Sequence, residues 1–165
     1  MTGHVIHLNT EVEADPDTVW QVLTDLVHAD HILRSVDSVE LTSDGPYAAG
    51  TTWREKRTMF GHHGVEELEV TVAEAPHRTI HETRLGHDRI RTAYSLQSHT
   101  GERTKLLLTA NIDIGERNRA ESLMWNIWGG FSFDATRRML THDLEDIKAE
   151  AEQRIGGRSR LGSAS

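Results

Sequence analysis

The chain contains no cysteine, so neither a disulfide nor a thiolate metal site is open to it. Positive charge is in short supply. Against 26 acidic residues stand 18 basic ones, a formal charge of −8. Such a chain repels phosphate backbones, and nucleic acid is not an expected partner. The one basic cluster, Arg154, Arg158 and Arg160 near the end, is too small to reverse that. No apolar run approaches the roughly 20 residues of a membrane-spanning helix. The N-terminus, MTGHVIHLNTEVEAD, has no basic region followed by an apolar stretch, so a signal peptide is not expected and the cytoplasm is the expected compartment. There is no nucleotide-binding glycine loop, no Ser-His-Asp elbow and no HExxH spacing. Hydride transfer, phosphoryl transfer and zinc hydrolysis lose support accordingly, and neither cofactor nor metal is expected. Eleven histidines are present, but His62 and His63 sit between two glycines, and His28 and His31 lack a third ligand. All eleven read as solvated surface residues.

What is there is 165 residues of strongly patterned sequence, one domain of ordinary size. From His4 to Ala14 the chain alternates, with Ile6, Leu8, Thr10, Val12 and Ala14 on one side, as in a half-buried strand. Asp15 is suited to cap a helix and Pro16 to open it. Val19, Trp20, Leu23, Leu26 and Val27 follow at helical spacing, with a second short helical piece to Leu33. Six strands are predicted next: Val36–Thr42, Thr51–Phe60, Val65–Glu74, Thr79–Leu85, Arg89–Ser98 and Thr104–Ile114. Between them lie turn-forming pieces such as Asp44-Gly45-Pro46 and Ala75-Pro76-His77. An amphipathic helix is predicted from Asn118 to Arg154, with Gly129-Gly130 marking a kink or break. Residues 155–165 read as a disordered tail after a domain of 1–154.

Strand, two helices, six strands and one long helix make an α+β chain. A seven-stranded antiparallel sheet needs one face covered, and only the last helix is large enough to cover it. The layout resembles the helix-grip fold of the START / birch-pollen-allergen superfamily. So do local stretches: Ala14-Asp15-Pro16-Asp17-Thr18-Val19-Trp20, Gly50-Thr51-Thr52-Trp53-Arg54-Glu55, Glu74-Ala75-Pro76 and Asp143-Leu144-Glu145-Asp146-Ile147-Lys148. The branch most similar is the polyketide cyclase/dehydrase-like group. The resemblance covers about 150 residues. It implies a curved sheet wrapped around the helix, with an internal cavity for a lipid, polyketide or other hydrophobic small molecule.

Hairpin register predicts which side chains face that cavity. If a turn over 61–64 pairs Phe60 with Val65, Trp53 opposes Val72 and Glu55 opposes Val70. Across Pro76, Val72 opposes Ile80 and Val70 opposes Glu82. The next two hairpins pair Glu82 with Thr92, Ile80 with Tyr94, and Tyr94 with Leu108. Directly opposed residues share a face. One face is then apolar, with Trp53, Met59, Leu68, Val70, Val72, Ile80, Ile90, Tyr94, Leu96 and Leu108, while His81 and Thr83 fall on the polar face. The inward exceptions are Glu55, Arg57, Glu82, Arg84 and Thr92. Buried charges need partners. Either these pair with one another near the cavity rim, or they orient the polar end of a ligand. Trp128 and Phe131 on the last helix are either core or cavity wall. The candidate ligand-binding set is therefore Trp53, Glu55, Arg57, Met59, Val70, Glu82, Arg84, Thr92, Tyr94, Leu108, Trp128 and Phe131.

Three functions fit this reading. The first is binding of a hydrophobic small molecule. The second is a polyketide cyclase, aromatase or dehydratase, with Glu55 or Glu82 as base, Arg57 or Arg84 holding an enolate oxygen and Tyr94 donating a proton. The third is a protein-interaction or cofactor-chaperone module. No feature of the sequence fixes an oligomeric state.

Overall fold

The computed structural model describes residues 2–59, 62–85, 87–100, 102–115 and 133–162, and for residues 2, 59, 62 and 85 the backbone alone. Seven strands form one antiparallel sheet: β1 (Thr2–Val12), β2 (Val36–Leu41), β3 (Thr52–Met59), β4 (His62–Glu74), β5 (Arg78–Leu85), β6 (Asp88–His99) and β7 (Arg103–Ile114). Their order is β1-β7-β6-β5-β4-β3-β2, so every neighbouring pair but β1/β7 is a hairpin or near-sequential connection. Two short helices, α1 (Pro16–Leu23) and α2 (Ala29–Ile32), follow β1, and α3 (Phe133–Gly162) closes the described chain.

Asp15 caps α1 as the sequence predicts. Its carboxylate accepts from the Thr18 amide at 2.8 Å and the Thr18 hydroxyl at 2.9 Å, and Pro16 opens the helix. β7, paired on both sides, alternates strictly and buries Thr104, Leu106, Leu108, Ala110 and Ile112. These pack with Ile6 and Val12 of β1, Val19 and Val22 of α1, and Leu140, Leu144, Ile147 and Ala151 of α3. A smaller cluster of Leu26, Trp53, Leu68 and Val70 sits at the other end of the sheet.

Two departures from the sequence reading shape the site. The β3/β4 hairpin is tighter than expected, with Met59 opposite His62 and Trp53 opposite Leu68. The shift is four residues, an even number, so Trp53, Glu55 and Arg57 still face inward. The second departure is a register shift between Val70 and Val72, where β4 carries one extra residue. Near Pro76 the predicted pairing of Val72 with Ile80 holds, but beyond the bulge Val70 opposes His81 and Leu68 opposes Thr83. A one-residue slip swaps faces. Glu82 and Arg84, expected to face the cavity, therefore lie on the outer face, where Glu82 pairs with Arg89 at 3.2 Å and with Arg84 at 3.6 Å. Val72 and Ile80 move outward with them. His81 and Thr83, expected outside, are buried inside. The β5/β6 pairing is also one residue from expectation, with His81 opposite Thr92, and this second slip restores Thr92 and Tyr94 to the inner face.

The helix does not stop at Arg154. It runs to Gly162, so residues 155–162 are not a disordered tail. Arg154 bridges Asp25 at 3.1 Å and Glu150 at 2.8 Å, Ile155 packs on the core, and Arg158 reaches the Thr18 hydroxyl at 3.4 Å. The contacts to Asp25, to the core and to Thr18 of α1 hold the last turns in place. Residues 118–132 of the predicted helix, with Gly129, Gly130, Trp128 and Phe131, lie outside the described residues.

Candidate functional site

Trp53, Glu55 and Arg57 alternate on β3 and so project into the space between sheet and α3. Glu55 and Glu66 are direct cross-strand partners. Asp143 enters from the opposite side, on the buried face of α3 between Leu140 and Leu144. Ser35 completes the group. It is brought there because Arg34, its neighbour, clamps Asp146 of α3 through its backbone amide at 2.9 Å and its guanidinium at 2.6 Å.

Arg57 is the centre of this cluster. Its Nε donates to Glu55, and its Nη1 donates to Ser35 at 2.8 Å and to the two Asp143 oxygens at 3.0 and 3.2 Å. The other Glu55 oxygen accepts from the Trp53 indole at 3.1 Å. Glu66 lies 4.0 Å from Arg57 Nε. One guanidinium thus faces three carboxyl groups. Burial alone would lower the Arg57 pKa, but Asp143, Glu55 and Glu66 outweigh it and hold the guanidinium firmly charged. Burial raises the Asp143 carboxyl, opposed by Arg57. Glu66 has no hydrogen bond from a described residue, and burial pushes it up to about 7, with Arg57 opposing and Glu55 and Asp143 adding to the rise. A carboxyl that exchanges its proton near neutral pH is equipped for acid-base work.

The second cluster is aromatic and neutral. Tyr47, on the loop between β2 and β3, places its hydroxyl 2.5 Å from His81 Nε2 and 2.6 Å from the Thr79 hydroxyl. Gly45 and Gly50, both at positive φ, let that loop fold back over the sheet, and Gly50 and Thr51 are pinned to Val70 by backbone bonds of 2.8 Å. Trp53 meets His81 edge-on with ring centres 5.3 Å apart, and Tyr94 lies 5.6 Å away. Burial, helped by the nearby Arg57 charge, drives the His81 pKa down to about 4, so the ring is uncharged at neutral pH. Burial raises the Tyr94 phenol, which stays protonated. Among the described residues nothing hydrogen-bonds the Tyr94 hydroxyl.

Two cavity lobes meet at these residues. One, of about 60 Å³, lies under α1 and α2 and is lined by Leu23, Leu26, Trp53, Glu55 and Ile147 among others. The other, of about 50 Å³, lies toward the start of α3 beside Glu66, Thr83, Thr92, Met139 and Asp143. Arg57, Leu68, His81 and Tyr94 line both. Two larger, more open recesses lie on the outer face, but their walls are solvated charges such as Arg54, Glu67, Glu69, Arg89 and Arg91.

Of the sequence-predicted site residues, Trp53, Glu55, Arg57, Thr92 and Tyr94 come together around the lobes. Val70 and Leu108 face inward but are packed in the core and line neither lobe. Glu82 and Arg84 are on the wrong face. Met59 is described only in its backbone, and Trp128 and Phe131 lie outside the described residues. Sequence reasoning missed Ser35, Tyr47, Glu66, His81 and Asp143. Asp143 had a visible signal, a carboxylate inside the apolar stripe of the last helix. Glu66 had another, since it alternates with Leu68 and Val70.

The seven-stranded sheet gripping a terminal helix around a polar-centred cavity is the helix-grip architecture of the START / birch-pollen-allergen superfamily. Residues 4–152 match the family described as polyketide cyclase / dehydrase and lipid transport, and the chain belongs to that family. No curated protein gives a significant match. Among solved structures, the Zhui aromatase/cyclase from Streptomyces sp. R1128 superposes with a TM-score of 0.74 at 20% identity, covering 93% of this chain and 96% of that one. A START superfamily protein from Mycobacterium smegmatis gives 0.66 at 12% identity over 93% and 98% of the two chains. Ara h 8.0201 gives 0.66 at 9% identity over 91% and 98%. At these identities the superpositions speak to the fold.

Proposed function

We propose that this chain binds a hydrophobic small molecule in the cavity between the sheet and α3, with the ligand's polar end at Arg57, Glu66 and Tyr94. The observation that carries this reading is a buried, charge-rich cluster opening onto an apolar cavity. A few convergent polar groups in an apolar wall are the usual form of a small-molecule site. Native mass spectrometry of the protein as purified, set against the denatured chain, tests it. A bound mass of a few hundred daltons that disappears on denaturation is the expected result; the lobes, of about 60 and 50 Å³, are smaller than the ~300–1,000 Å³ of known ligand pockets and must widen to admit such a ligand. Filling the lobes with Leu68→Trp should remove that mass. A ligand retained by that variant would place binding elsewhere.

A second reading, favoured by Glu66, is acid-base chemistry on the bound molecule, as in cyclisation, aromatisation or dehydration of a polyketide. The Zhui aromatase/cyclase and the di-domain ARO/CYC StfQ share this fold. In this reading Glu66 takes the proton, Arg57 stabilises the developing enolate, and Tyr94 donates. Glu55, with both oxygens committed to Trp53 and Arg57, positions the guanidinium in place of acting as the base. Glu66→Gln should lower turnover by about 100-fold or more, the usual contribution of a general base, while ligand affinity changes little. Unchanged turnover on a genuine substrate removes Glu66 from the mechanism.

A further inference from the structure

The hydrogen-bond directions around His81 can be worked out from one fixed end. Thr79 Oγ1 lies 2.9 Å from the carbonyl oxygen of Val72, which can only accept. The threonine hydroxyl has one hydrogen and spends it there. At the 2.6 Å contact between the two hydroxyls, Tyr47 must then be the donor. Tyr47 also has one hydrogen, so at its 2.5 Å contact with His81 the imidazole donates from Nε2. The three hydrogens make three bonds in this direction. In the reverse direction the Thr79 oxygen would face the Val72 carbonyl with no hydrogen between them. A neutral histidine carries its proton on one nitrogen only. With Nε2–H committed to Tyr47, Nδ1 has a lone pair and no proton. No hydrogen bond from a described residue reaches Nδ1, and the ring lines both cavity lobes.

We propose that His81 is the cavity's hydrogen-bond acceptor for a ligand hydroxyl, a phenol or an enol, with Tyr47 and Thr79 as the positioning residues that keep its Nδ1 bare. This rests on the cavity-binding reading and gives the ligand's chemistry. Around it stand the Arg57 and Tyr94 donors, the Glu66 carboxyl and the hydroxyls of Thr83, Thr92 and Thr136, while Glu55 and Asp143 are already paired with Arg57. Beside them, a bare imidazole nitrogen selects for a neutral O–H. Burial and the Arg57 charge keep the ring uncharged at neutral pH, so the lone pair is available.

Nitrogen NMR of the full chain labelled with ¹⁵N-histidine tests both halves, with the His81 signals assigned from a His81→Gln sample. At pH 7 the expected spectrum shows a protonated Nε2 and an unprotonated Nδ1. Tyr47→Phe should release the tautomer, so that a population with Nδ1–H appears while the circular dichroism is unchanged. Phenol is the probe for the ligand half, and toluene, of similar size but without a donor, is its control. The methyl signals of Leu68 and Ile147 report occupancy of the lobes. Phenol should move those methyls and shift Nδ1 upfield, and toluene should move the methyls alone. Losing that hydrogen bond should weaken phenol binding by about tenfold in Tyr47→Phe. A wild-type His81 protonated at Nδ1 overturns the proposal, as does a phenol that moves the methyls and leaves Nδ1 unchanged. In the latter case cavity binding itself stands. If neither probe moves the methyls, cavity binding fails and the ligand half of the proposal fails with it.

Discussion

Glu66 and His81 are two buried groups whose neutral forms are favoured, one an acid and one a base. Glu66 is pushed up to about 7 from an ordinary 4.5. Between these values the folded state holds a proton that the unfolded chain has lost, so its contribution to stability is full below 4.5 and disappears as pH rises toward 7. His81 is driven down to about 4 from 6.5. There the unfolded chain holds the extra proton, so its contribution is full above 6.5 and disappears as pH falls toward 4. Urea unfolding across pH 4–7.5 should show the two effects with opposite slopes. Relative to wild type, Glu66→Gln should gain stability as pH rises, and the wild type's advantage over His81→Gln should shrink as pH falls. At roughly 1.4 kcal/mol per pH unit between the ordinary and the buried values, each arm is on the order of 3 kcal/mol. Parallel slopes for both variants would mean that one of the two side chains is not buried as described. The pairing of Glu55 with Glu66 across β3/β4 follows from alternation once the hairpin register is known. The same alternation, read from Leu68 and Val70, already marks Glu66 as inward. His81 had no comparable mark, because a histidine between a buried isoleucine and a half-buried glutamate fits either face.

The bulge in β4 decides the composition of the site. Alternation in β5 is the same on paper whichever face is inside: Ile80, Glu82 and Arg84 on one side, Thr79, His81 and Thr83 on the other. Apolar Ile80 argues for the first choice, and Ile80 is indeed buried, but on the outer face. The structure takes the second choice because β4 accommodates one extra residue at Thr71 between two paired stretches. A bulge is a conformational feature with no dedicated residue code, and Thr71 carries no glycine signal. Deleting Thr71 should remove the slip and force Glu82 and Arg84 toward the cavity without partners there. Because each unpartnered buried charge costs several kcal/mol, the deletion should destabilise by more than about 3 kcal/mol, far beyond Thr71→Ala. Chemical denaturation of the two variants makes the comparison. Equal, small losses would show that β5 can re-pair without cost. The β3/β4 hairpin teaches the complementary lesson. A four-residue error in its register left every inward residue inward, since faces repeat with a period of two.

At the scale of the whole molecule, α3 holds the two ends of the fold together. Asp143 reaches Arg57 and Ser35 near the sheet's β3 edge, Asp146 receives Arg34, and Lys148 reaches the Glu11 carbonyl at 2.7 Å at the end of β1. The last turns add Arg154 to Asp25 and Ile155 to the core. Truncation after Arg154 should therefore lower stability, by about 1–2 kcal/mol for the lost apolar burial of Ile155 and its neighbours. Thermal unfolding of the shortened chain measures it. A truncation without effect would return residues 155–165 to the status of a tail. None of the described helices is long and apolar enough to cross a membrane.

Hydrophobic periodicity by itself determined the element order, the antiparallel sheet with one long covering helix, and the inward triplet Trp53, Glu55 and Arg57. Those features are local, repeated over many residues, and insensitive to an error of an even number of positions. Tertiary structure alone decided which face of β5 looks inward, how far the last helix runs, and that a serine, a loop tyrosine and an α3 aspartate meet the β3 arginine. Each of these depends on a single inserted residue or on contacts between segments from about 20 to 130 positions apart. No pattern within one segment records such a contact. Its energy exists only when the chain has brought the partners together and excluded the water between them.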